Sequence, residues 1–437
     1  MQKVKTLNPI LIFQSFFNTE EKKRLFENFV SLSVLQGLNY LLPLVTFPYL
    51  VRVLGAEKFG LLAFATATID YFRILTDYGF NLSATRGISI HREDKAKLNE
   101  IFSAVMIIKF GLLTISFLLL AAIVFSFEKF RVDWQIYILT FGMVVGQTFF
   151  PVWFFQGMER MKYITFLNIL AKALFTIAIF IFVKEQTDFW KVPLLNSLGF
   201  ILAGIISLYL IIKNFNTNVT FPSKHIILEQ MKEGWHIFVS TVAISLYTIS
   251  TPFILGLFTN NTIVGYYSAA DKIIQAIKGL LGPFSQTIYP FINKKVVVSK
   301  EAGLKIIRKI TICVAFFTFL LSISVFTFAQ QVTFLVLGQS YIKSIIILKI
   351  LAITPFLIGL SNVFGIQTMI SFGRNRAFRN ILIFASVINI ILSLLLVPAF
   401  SYLGSAIAVV IVEFFVTTSM FIYLQTTGIK IVEFKDV

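Results

Sequence analysis

The chain has 437 residues, of which 57% are hydrophobic and 14% are charged, and its mean hydropathy is +0.84. Soluble domains average roughly 45–50% apolar and about 25% charged residues, so this composition excludes a string of soluble domains. It indicates a polytopic membrane protein, in which a net charge of +17 is unexpected.

Apolar runs interrupted by charged residues, Gly or Pro predict twelve transmembrane helices. The helix is the only open structure that satisfies its own backbone hydrogen bonds in lipid, so each run is read as a helix. The predicted spans are residues 29–51, 59–82, 101–126, 134–155, 163–183, 192–212, 235–258, 262–291, 307–329, 342–370, 377–399 and 402–425. The fold class is therefore all-α, with two six-helix bundles around a central cavity.

The twelve spans divide the chain into two bundles, a linker and two tails. The expected parts are a cytoplasmic N-terminal tail (1–28), an N-terminal bundle (29–212), a cytoplasmic linker (213–234), a C-terminal bundle (235–425) and a cytoplasmic C-terminal tail (426–437). With the N-terminus inside, 25 Lys and Arg residues fall on the cytoplasmic side and six on the other. Because cytoplasmic loops carry an excess of basic residues, this count predicts that both termini are cytoplasmic.

Eleven charged residues remain inside the predicted spans once Arg308, Lys309 and Arg379, at the cytoplasmic ends of their spans, are counted with the cytoplasmic loops. They are Arg73, Lys109, Lys172, Lys272, Lys278, Lys343 and Lys349, with Asp70, Asp77, Asp271 and Glu413. A charge at the bilayer centre costs about 2.5–3.5 kcal/mol on the insertion scale, so most of them should face the protein interior or water. Those close to a helix end, such as Lys343, can instead extend to the interface.

Two groups of these charges leave alternatives open. Asp70, Arg73 and Asp77 are spaced so that all three share one helical face, either as a structural ion triad or as part of a functional site. Glu413 lies mid-span without a charged neighbour on its own helix. It is either protonated, paired across helices or involved in ion coupling.

A weak internal repeat relates the two halves at an offset of 205 residues. Gly60 aligns with Gly265, and Arg73 aligns with Lys278. Six helices per half would give parallel repeats about an axis normal to the membrane, as in transporters that work by alternating access. The seven basic and four acidic buried residues favour an anionic substrate, such as one that carries phosphate.

Motifs for chemistry on the substrate are absent from the sequence. There is no phosphate loop of the GxxxxGK type, no GxSxG motif and no His or Cys spacing of a metal site. The sequence therefore predicts a protein that is not an enzyme, has no cofactor and no metal site, and binds no nucleic acid.

Several segments resemble the Wzx-type O-antigen and polysaccharide flippases of the multidrug/oligosaccharidyl-lipid/polysaccharide exporter superfamily. Residues 36–55 (QGLNYLLPLVTFPYLVRVLG) look like the first helix of these proteins, and residues 77–82 (DYGFNL) like the end of their second. Similar matches occur at 153–157 (WFFQG), 234–241 (GWHIFVST) and 355–362 (PFLIGLSN). The first segment is the most specific of the five.

The resemblance implies a flippase in the bacterial inner membrane. It would move an undecaprenyl-diphosphate-linked oligosaccharide, the O-antigen repeat unit, from the cytoplasmic to the periplasmic leaflet. An ion gradient would drive alternating access, and polysaccharide polymerase and chain-length regulator proteins are possible partners. The alternatives are a drug or cation antiporter of the same superfamily and, from another class, a membrane polysaccharide polymerase or ligase.

The predicted site combines buried charges with polar residues of the matching segments. The candidate substrate-binding residues are Arg73, Lys109, Lys172, Lys278, Gln36, Asn39, Arg52, Asn81, Gln156, Asn362 and Gln367. The candidate ion-coupling residues are Asp70, Asp77, Asp271 and Glu413. Asn39, Gln156 and Asn362 have an equal alternative as hydrogen-bonding residues in helix packing.

Overall fold

The protein is helical along its described length. The computed structural model describes residues 20–431, and no strand occurs among them. The helices are α1 (Glu20–Asp77), α2 (Phe80–Ile90), α3 (Lys95–Ser126), α4 (Glu128–Arg131), α5 (Trp134–Phe149), α6 (Val152–Gly157), α7 (Met161–Phe182), α8 (Lys191–Phe215), α9 (Lys224–Thr248), α10 (Ser250–Phe258), α11 (Asn261–Gly279), α12 (Leu281–Val298), α13 (Lys300–Thr327), α14 (Ala329–Val332), α15 (Ser344–Leu351), α16 (Thr354–Asn362) and α17 (Asn375–Thr426). Short 3₁₀ or π turns occupy Gln186–Trp190, Thr333–Leu337, Gln339–Tyr341 and Val363–Ile370.

The predicted tails extend beyond this description. Residues 1–19 of the N-terminal tail and 432–437 of the C-terminal tail lie outside the described residues. The predicted all-α membrane fold is confirmed for the part of the chain that is described.

The two longest helices are each interrupted by one residue with a positive φ and non-helical backbone geometry. Gly55 (φ 67°, ψ 174°) interrupts α1, and Ser401 (φ 55°, ψ −131°) interrupts α17. At 1.5 Å per residue the 58 residues of α1 would extend ~87 Å, far more than the roughly 30 Å of a hydrocarbon core. Each of these helices is thus long enough for two spans.

Within residues 20–431, eight helices are long and apolar enough to cross a membrane, and the bent pair Lys224–Leu246 and Ser250–Phe258 adds a ninth. Two of the eight are the interrupted helices, which sequence analysis divided into four spans. The predicted span 262–291, which covers α11, is not among them, because Asp271, Lys272 and Lys278 reduce its apolar character. The number twelve stays a prediction.

The first compact unit contains Tyr71–Val183 and Trp190–Val239, together with the described residues up to Pro43. Its core includes the fully buried Trp153, Phe154 and Phe155 of α6. Small residues bring α5 and α8 together: a Cβ on Gly146 would lie 2.4 Å from the backbone of Phe200. Such close backbone approach is typical of helix packing in membranes.

The second compact unit contains Leu44–Asp70, Lys184–Phe189 and the described residues from Ser240 onward. It thus includes the end of the first predicted span and the start of the second, which sequence analysis assigned to the N-terminal bundle. The two predicted six-helix bundles stay a prediction. The core of the second unit includes Val363, Val412 and Met420.

A close helix crossing in the second unit supports the predicted repeat. A Cβ on Gly60 would lie 1.8 Å from the Asn261 carbonyl oxygen, and one on Gly265 would lie 1.9 Å from the Ala56 carbonyl oxygen. Ala56 and Asn261 are themselves 205 residues apart, so the two contacts are exchanged by the repeat offset. A contact of this reciprocal kind is what a two-fold relation between two segments requires.

Candidate functional site

The first unit encloses a polar cavity of about 140 Å³. Four residues predicted from the sequence line it: Arg73 and Asp77 near the end of α1, Asn81 in α2 and Lys109 in α3. Its remaining lining residues are Thr76, Gln147, Thr148, Phe150, Val152, Asn168 and Phe200. Side chains from seven helices therefore meet at one small cavity: α1, α2, α3, α5, α6, α7 and α8.

Lys109 is the most buried cation of this group. It lies in the apolar helix α3, and its side chain is only 5% exposed. Its Nζ lies 3.6 Å from an Asp77 carboxylate oxygen, which forms an ion pair between α3 and α1. A buried lysine needs such a partner, because an uncompensated charge in a low-dielectric interior is strongly unfavourable.

The junction between α1 and α2 positions the acidic partner. Tyr78 (φ 47°) and Gly79 (φ 79°) both adopt left-handed geometry, which ends α1 directly after Asp77 and starts α2. Across this junction the Asn81 Nδ2 donates a hydrogen bond of 2.9 Å to Asp77 Oδ2. Asp77 therefore contacts an amide and an ammonium group at the same time.

The second unit contains a larger cavity of about 590 Å³. Its charged lining residues are Asp271 and Lys278 of α11 and Glu413 of α17, all three predicted from the sequence. Glu413 is buried, with 7% of its surface exposed. A volume in the range of about 300–1,000 Å³ is typical of cavities that accept an organic ligand.

Neutral polar side chains form much of the rest of this larger cavity. These lining residues include Thr248, Thr251, Tyr267, Gln275, Ser361, Asn362 and Asn389. Asn389 is 1% exposed, and its Nδ2 donates to the Ser250 hydroxyl at 3.1 Å. Amide and hydroxyl groups of this kind can both donate to and accept from sugar hydroxyls.

Asn362 and Gln367, two amide residues predicted from the sequence, both form hydrogen bonds with Ser285. The Ser285 hydroxyl donates to Asn362 Oδ1 at 2.8 Å. Gln367 is 2% exposed, and its Nε2 donates to both the Ser285 carbonyl (3.0 Å) and the Ser285 hydroxyl (2.8 Å). Asn362 lines the larger cavity, whereas Gln367 does not. These hydrogen bonds are compatible with a helix-packing role for Gln367, and its predicted substrate contact stays a prediction.

The structure places other predicted residues away from the two cavities. The Arg52 guanidinium is exposed and donates to the Leu335 carbonyl. Gln156 accepts a 3.4 Å hydrogen bond from the Thr85 hydroxyl, which connects α6 to α2. Lys172 is half-buried in α7 and lines neither cavity.

The remaining predicted residues belong to α1. Gln36 and Asp70 are both half-buried and line neither cavity. Asn39 lies in the helix, but its side chain is outside the described residues. The proposed substrate or coupling roles of these three residues stay predictions.

Sequence reasoning missed several neutral lining residues. Gln147, Asn168, Gln275 and Asn389 are amides within predicted spans, but they are neither charged nor part of the matching segments. A polar side chain inside a span is itself a signal, because lipid offers it no hydrogen-bond partner.

Comparison with known proteins identifies relatives of this chain. The model of the family described as "Polysaccharide biosynthesis protein" matches residues 25–296. A protein of Escherichia coli (strain K12) described as "Putative O-antigen transporter" is 35% identical over 410 residues, which cover 94% of this chain and 99% of that protein.

Solved structures share the fold at low sequence identity. The lipid II flippase MurJ in an inward closed conformation matches with a TM-score of 0.68 and 13% identity, covering 90% of this chain and 87% of that one. An inward-facing multidrug resistance MATE family transporter of the MOP superfamily matches with a TM-score of 0.65 and 16% identity, covering 89% and 95%. The predicted resemblance is thereby confirmed, and the chain belongs to the polysaccharide biosynthesis protein family.

Proposed function

We propose that this chain is a flippase for a lipid-linked oligosaccharide. The observation that carries the proposal is its 35% identity, over nearly the full length of both chains, to a protein described as an O-antigen transporter. The fold that it shares with a lipid II flippase is compatible with the same type of substrate. The substrate class that the family resemblance implies is an undecaprenyl-diphosphate-linked repeat unit.

The charges of the two cavities suggest how such a substrate is recognised. Arg73 and Lys109 line the smaller cavity, and Lys278 lines the larger one. Arginine and lysine both bind phosphoryl oxygens through charge-assisted hydrogen bonds. The neutral polar residues of the larger cavity would contact the sugar, while the prenyl chain would remain in lipid.

The transport cycle proposed here is alternating access driven by an ion gradient. A gradient can drive net transport only if ion and substrate bind differently to the inward-open and outward-open states. Asp271 and Glu413 are candidate coupling residues because both line the larger cavity beside Lys278. Asp70 and Asp77 are the corresponding candidates on α1.

The proposed location is the bacterial inner membrane, with both termini in the cytoplasm. The excess of basic residues in the predicted cytoplasmic loops supports this orientation. The flipped unit would then be delivered to the periplasmic leaflet. Polysaccharide polymerase and chain-length regulator proteins are proposed partners, because they act on the repeat units after transfer.

Alanine substitutions of two cavity cations test the proposed substrate contacts. Arg73→Ala and Lys278→Ala should each reduce surface polysaccharide in cells that depend on this protein, with equal amounts of each variant in the membrane. Lys343→Ala is the matched control, because Lys343 is an exposed lysine near a helix end. Normal surface polysaccharide in both cavity variants would rule out these contacts with the diphosphate.

One feature favours a second candidate function. The larger cavity is lined by two carboxylates, Asp271 and Glu413, and by one lysine, Lys278, which suits an organic cation better than an anion. A drug or cation antiporter would have this charge balance. Transport of a cationic dye by the reconstituted protein, with no response to lipid-linked oligosaccharide, would support it and contradict the flippase proposal.

A further inference from the structure

A third cavity, of about 210 Å³, lies between α2, α3 and the first part of α9, all within the first unit. Its lining residues fall within 86–101 and 226–233, which overlap the predicted cytoplasmic loops 83–100 and 213–234. It shares no lining residue with the cavities of about 140 Å³ and 590 Å³. The third cavity is therefore a separate site, at the end of the unit that the sequence predicts to face the cytoplasm.

Gln230 is the buried polar side chain of this cavity. It lines the cavity and is only 5% exposed, and its Oε1 has no hydrogen-bond partner among the described residues. Buried polar groups are nearly always paired, because an unpaired one loses its hydrogen bonds to water without compensation. A ligand with an N–H donor would supply the missing partner.

Two carboxylates of α9 line the same cavity. Glu229 and Glu233 are four residues apart, so they share one face of the helix. Within residues 20–431 neither of them forms an ion pair, whereas Glu100 of α3 pairs with Lys97 at 3.2 Å. Two carboxylates and one amide of a single helix are thus available as acceptors at one cavity.

The unpaired charges of the lining sum to one negative charge. Arg86 of α2 is the remaining charged residue, and no ion pair joins it to a described acidic residue. With Lys97 and Glu100 paired and His91 neutral, two carboxylates remain beside one guanidinium. This balance favours a ligand with one positive charge over an anion. Because Ca²⁺ takes about six to eight oxygen ligands, the few acceptors here suit an organic cation better.

Isoleucines form the apolar part of the lining. Ile101 is 6% exposed, and Ile90 and Ile226 complete this part. No aromatic ring of a described residue lines the cavity, so its apolar surface suits an aliphatic chain. At roughly 30 Å³ per water, the volume of 210 Å³ corresponds to about seven waters, which is enough for a short alkyl chain with a polar head.

We propose that this cavity binds a primary alkylammonium group, such as one end of an aliphatic diamine or a lysine side chain. The ammonium would donate its three N–H groups to the carboxylates of Glu229 and Glu233 and to Gln230 Oε1. The alkyl chain would lie against the isoleucines, as the methylene groups of lysine commonly lie along apolar surface. The site goes beyond the proposed flippase function and does not rest on it.

Saturation-transfer NMR with butylammonium chloride tests the site on the purified full-length protein in phosphatidylcholine nanodiscs, with empty nanodiscs as the background. Butylammonium should bind, whereas butanol, a neutral molecule of similar size, should not. Equal binding of the two would overturn the proposal. So would the absence of butylammonium binding, which would mean that water alone occupies the cavity.

Substitutions in α9 test the three acceptors. Glu229→Gln and Glu233→Gln should each weaken butylammonium binding about threefold, because both side chains are exposed, and the double variant should weaken it about tenfold. Gln230→Met, which keeps the length of the side chain, should also weaken binding while the melting temperature does not fall. Glu301→Gln, at an exposed glutamate of α13, is the matched control and should leave the affinity unchanged.

Arg86 distinguishes a cationic ligand from an anionic one. Arg86→Gln removes a like charge and should tighten butylammonium binding about two- to threefold. Weaker binding by this variant, or unchanged binding by the double glutamate variant, would overturn the proposal.

A comparison of two further ligands identifies the source of the ammonium group. Cadaverine, an aliphatic diamine, and Nα-acetyl-lysine methylamide carry the same head group on chains of similar length. Tighter binding of cadaverine would assign the site to a free diamine, and tighter binding of the lysine derivative would assign it to a lysine of a partner protein. These measurements involve no transport, so their failure is distinguishable from a failure of the flippase proposal.

Discussion

The crossing of two glycines in the second unit makes a quantitative prediction about both copies of the repeat. A Cβ on Gly265 would lie 1.9 Å from the Ala56 carbonyl oxygen, about 1.6 Å short of the roughly 3.5 Å at which non-bonded atoms pack. The obstacle is backbone, which cannot rotate away as a flexible side chain can. Gly265→Ala should therefore force the two helices apart.

Gly265→Ala should lower the free energy of unfolding by at least as much as overpacking a well-packed interior does, about 1–3 kcal/mol. Gly60→Ala should cost a similar amount, because its Cβ would lie 1.8 Å from the Asn261 carbonyl oxygen. In the double variant, the first substitution already separates the helices that the second would push apart. The two costs should therefore be less than additive, as is common for neighbouring sites.

Thermal unfolding of detergent-solubilised variants measures this effect. Each single variant should melt several degrees below wild type. Gly111→Ala in α3 is the matched control, because among the described residues no atom beyond its own stretch of helix lies within 4 Å of the position of its Cβ. Alanine there should leave the stability unchanged or raise it slightly, because alanine is the better helix former. If Gly60→Ala and Gly265→Ala both have the same melting temperature as Gly111→Ala, the close crossing and its reciprocal contact are contradicted.

Two further predictions concern packing and topology. Ser285→Ala removes the hydroxyl that binds both Asn362 and Gln367, and the loss of hydrogen bonds at the buried amide should destabilise the protein by about 1–3 kcal/mol. Ser285→Thr, which keeps a hydroxyl, should cost less in the same unfolding assay, and an equal loss would contradict this reading. For topology, single cysteines at Lys129 and Lys295 in a Cys313→Ser background should react with a membrane-impermeant maleimide from opposite sides. Lys295→Cys should be protected in intact cells, and labelling of both positions from outside would contradict cytoplasmic termini.

The general architecture could be predicted from composition and hydrophobic pattern. Apolar runs correctly indicated an all-helical membrane protein, because lipid allows few other solutions for the backbone. Charged residues within those runs also located members of both cavities. Arg73 and Asp77, four residues apart, were expected on one helical face, and both line the smaller cavity.

Contacts between helices could not be predicted from the sequence. Nothing in the spacing of the chain indicates that Lys109 on α3 meets Asp77 on α1, since that depends on how each helix is rotated about its axis. For the same reason the motif residues Gln156 and Gln367 could not be separated into substrate contacts and packing contacts. Both now have hydrogen-bond partners within the packed helices, Thr85 and Ser285.

The internal repeat could be predicted only weakly from the sequence. An offset of 205 residues gave only a weak alignment, because few identities remain between the two segments. The reciprocal approach of Gly60 and Gly265 is much more specific, since it relates two backbone contacts by the same offset.

The most direct test of the proposed function is a flipping assay with the purified protein. Proteoliposomes that contain it would be loaded with a lipid-linked oligosaccharide, and the sugar on the outer leaflet would be measured with a lectin or a membrane-impermeant glycosidase. The flippase proposal predicts that the sugar moves between leaflets faster than in protein-free vesicles and that Lys278→Ala slows this movement. A rate equal to that of protein-free vesicles, under an imposed proton or sodium gradient of either direction, would contradict it.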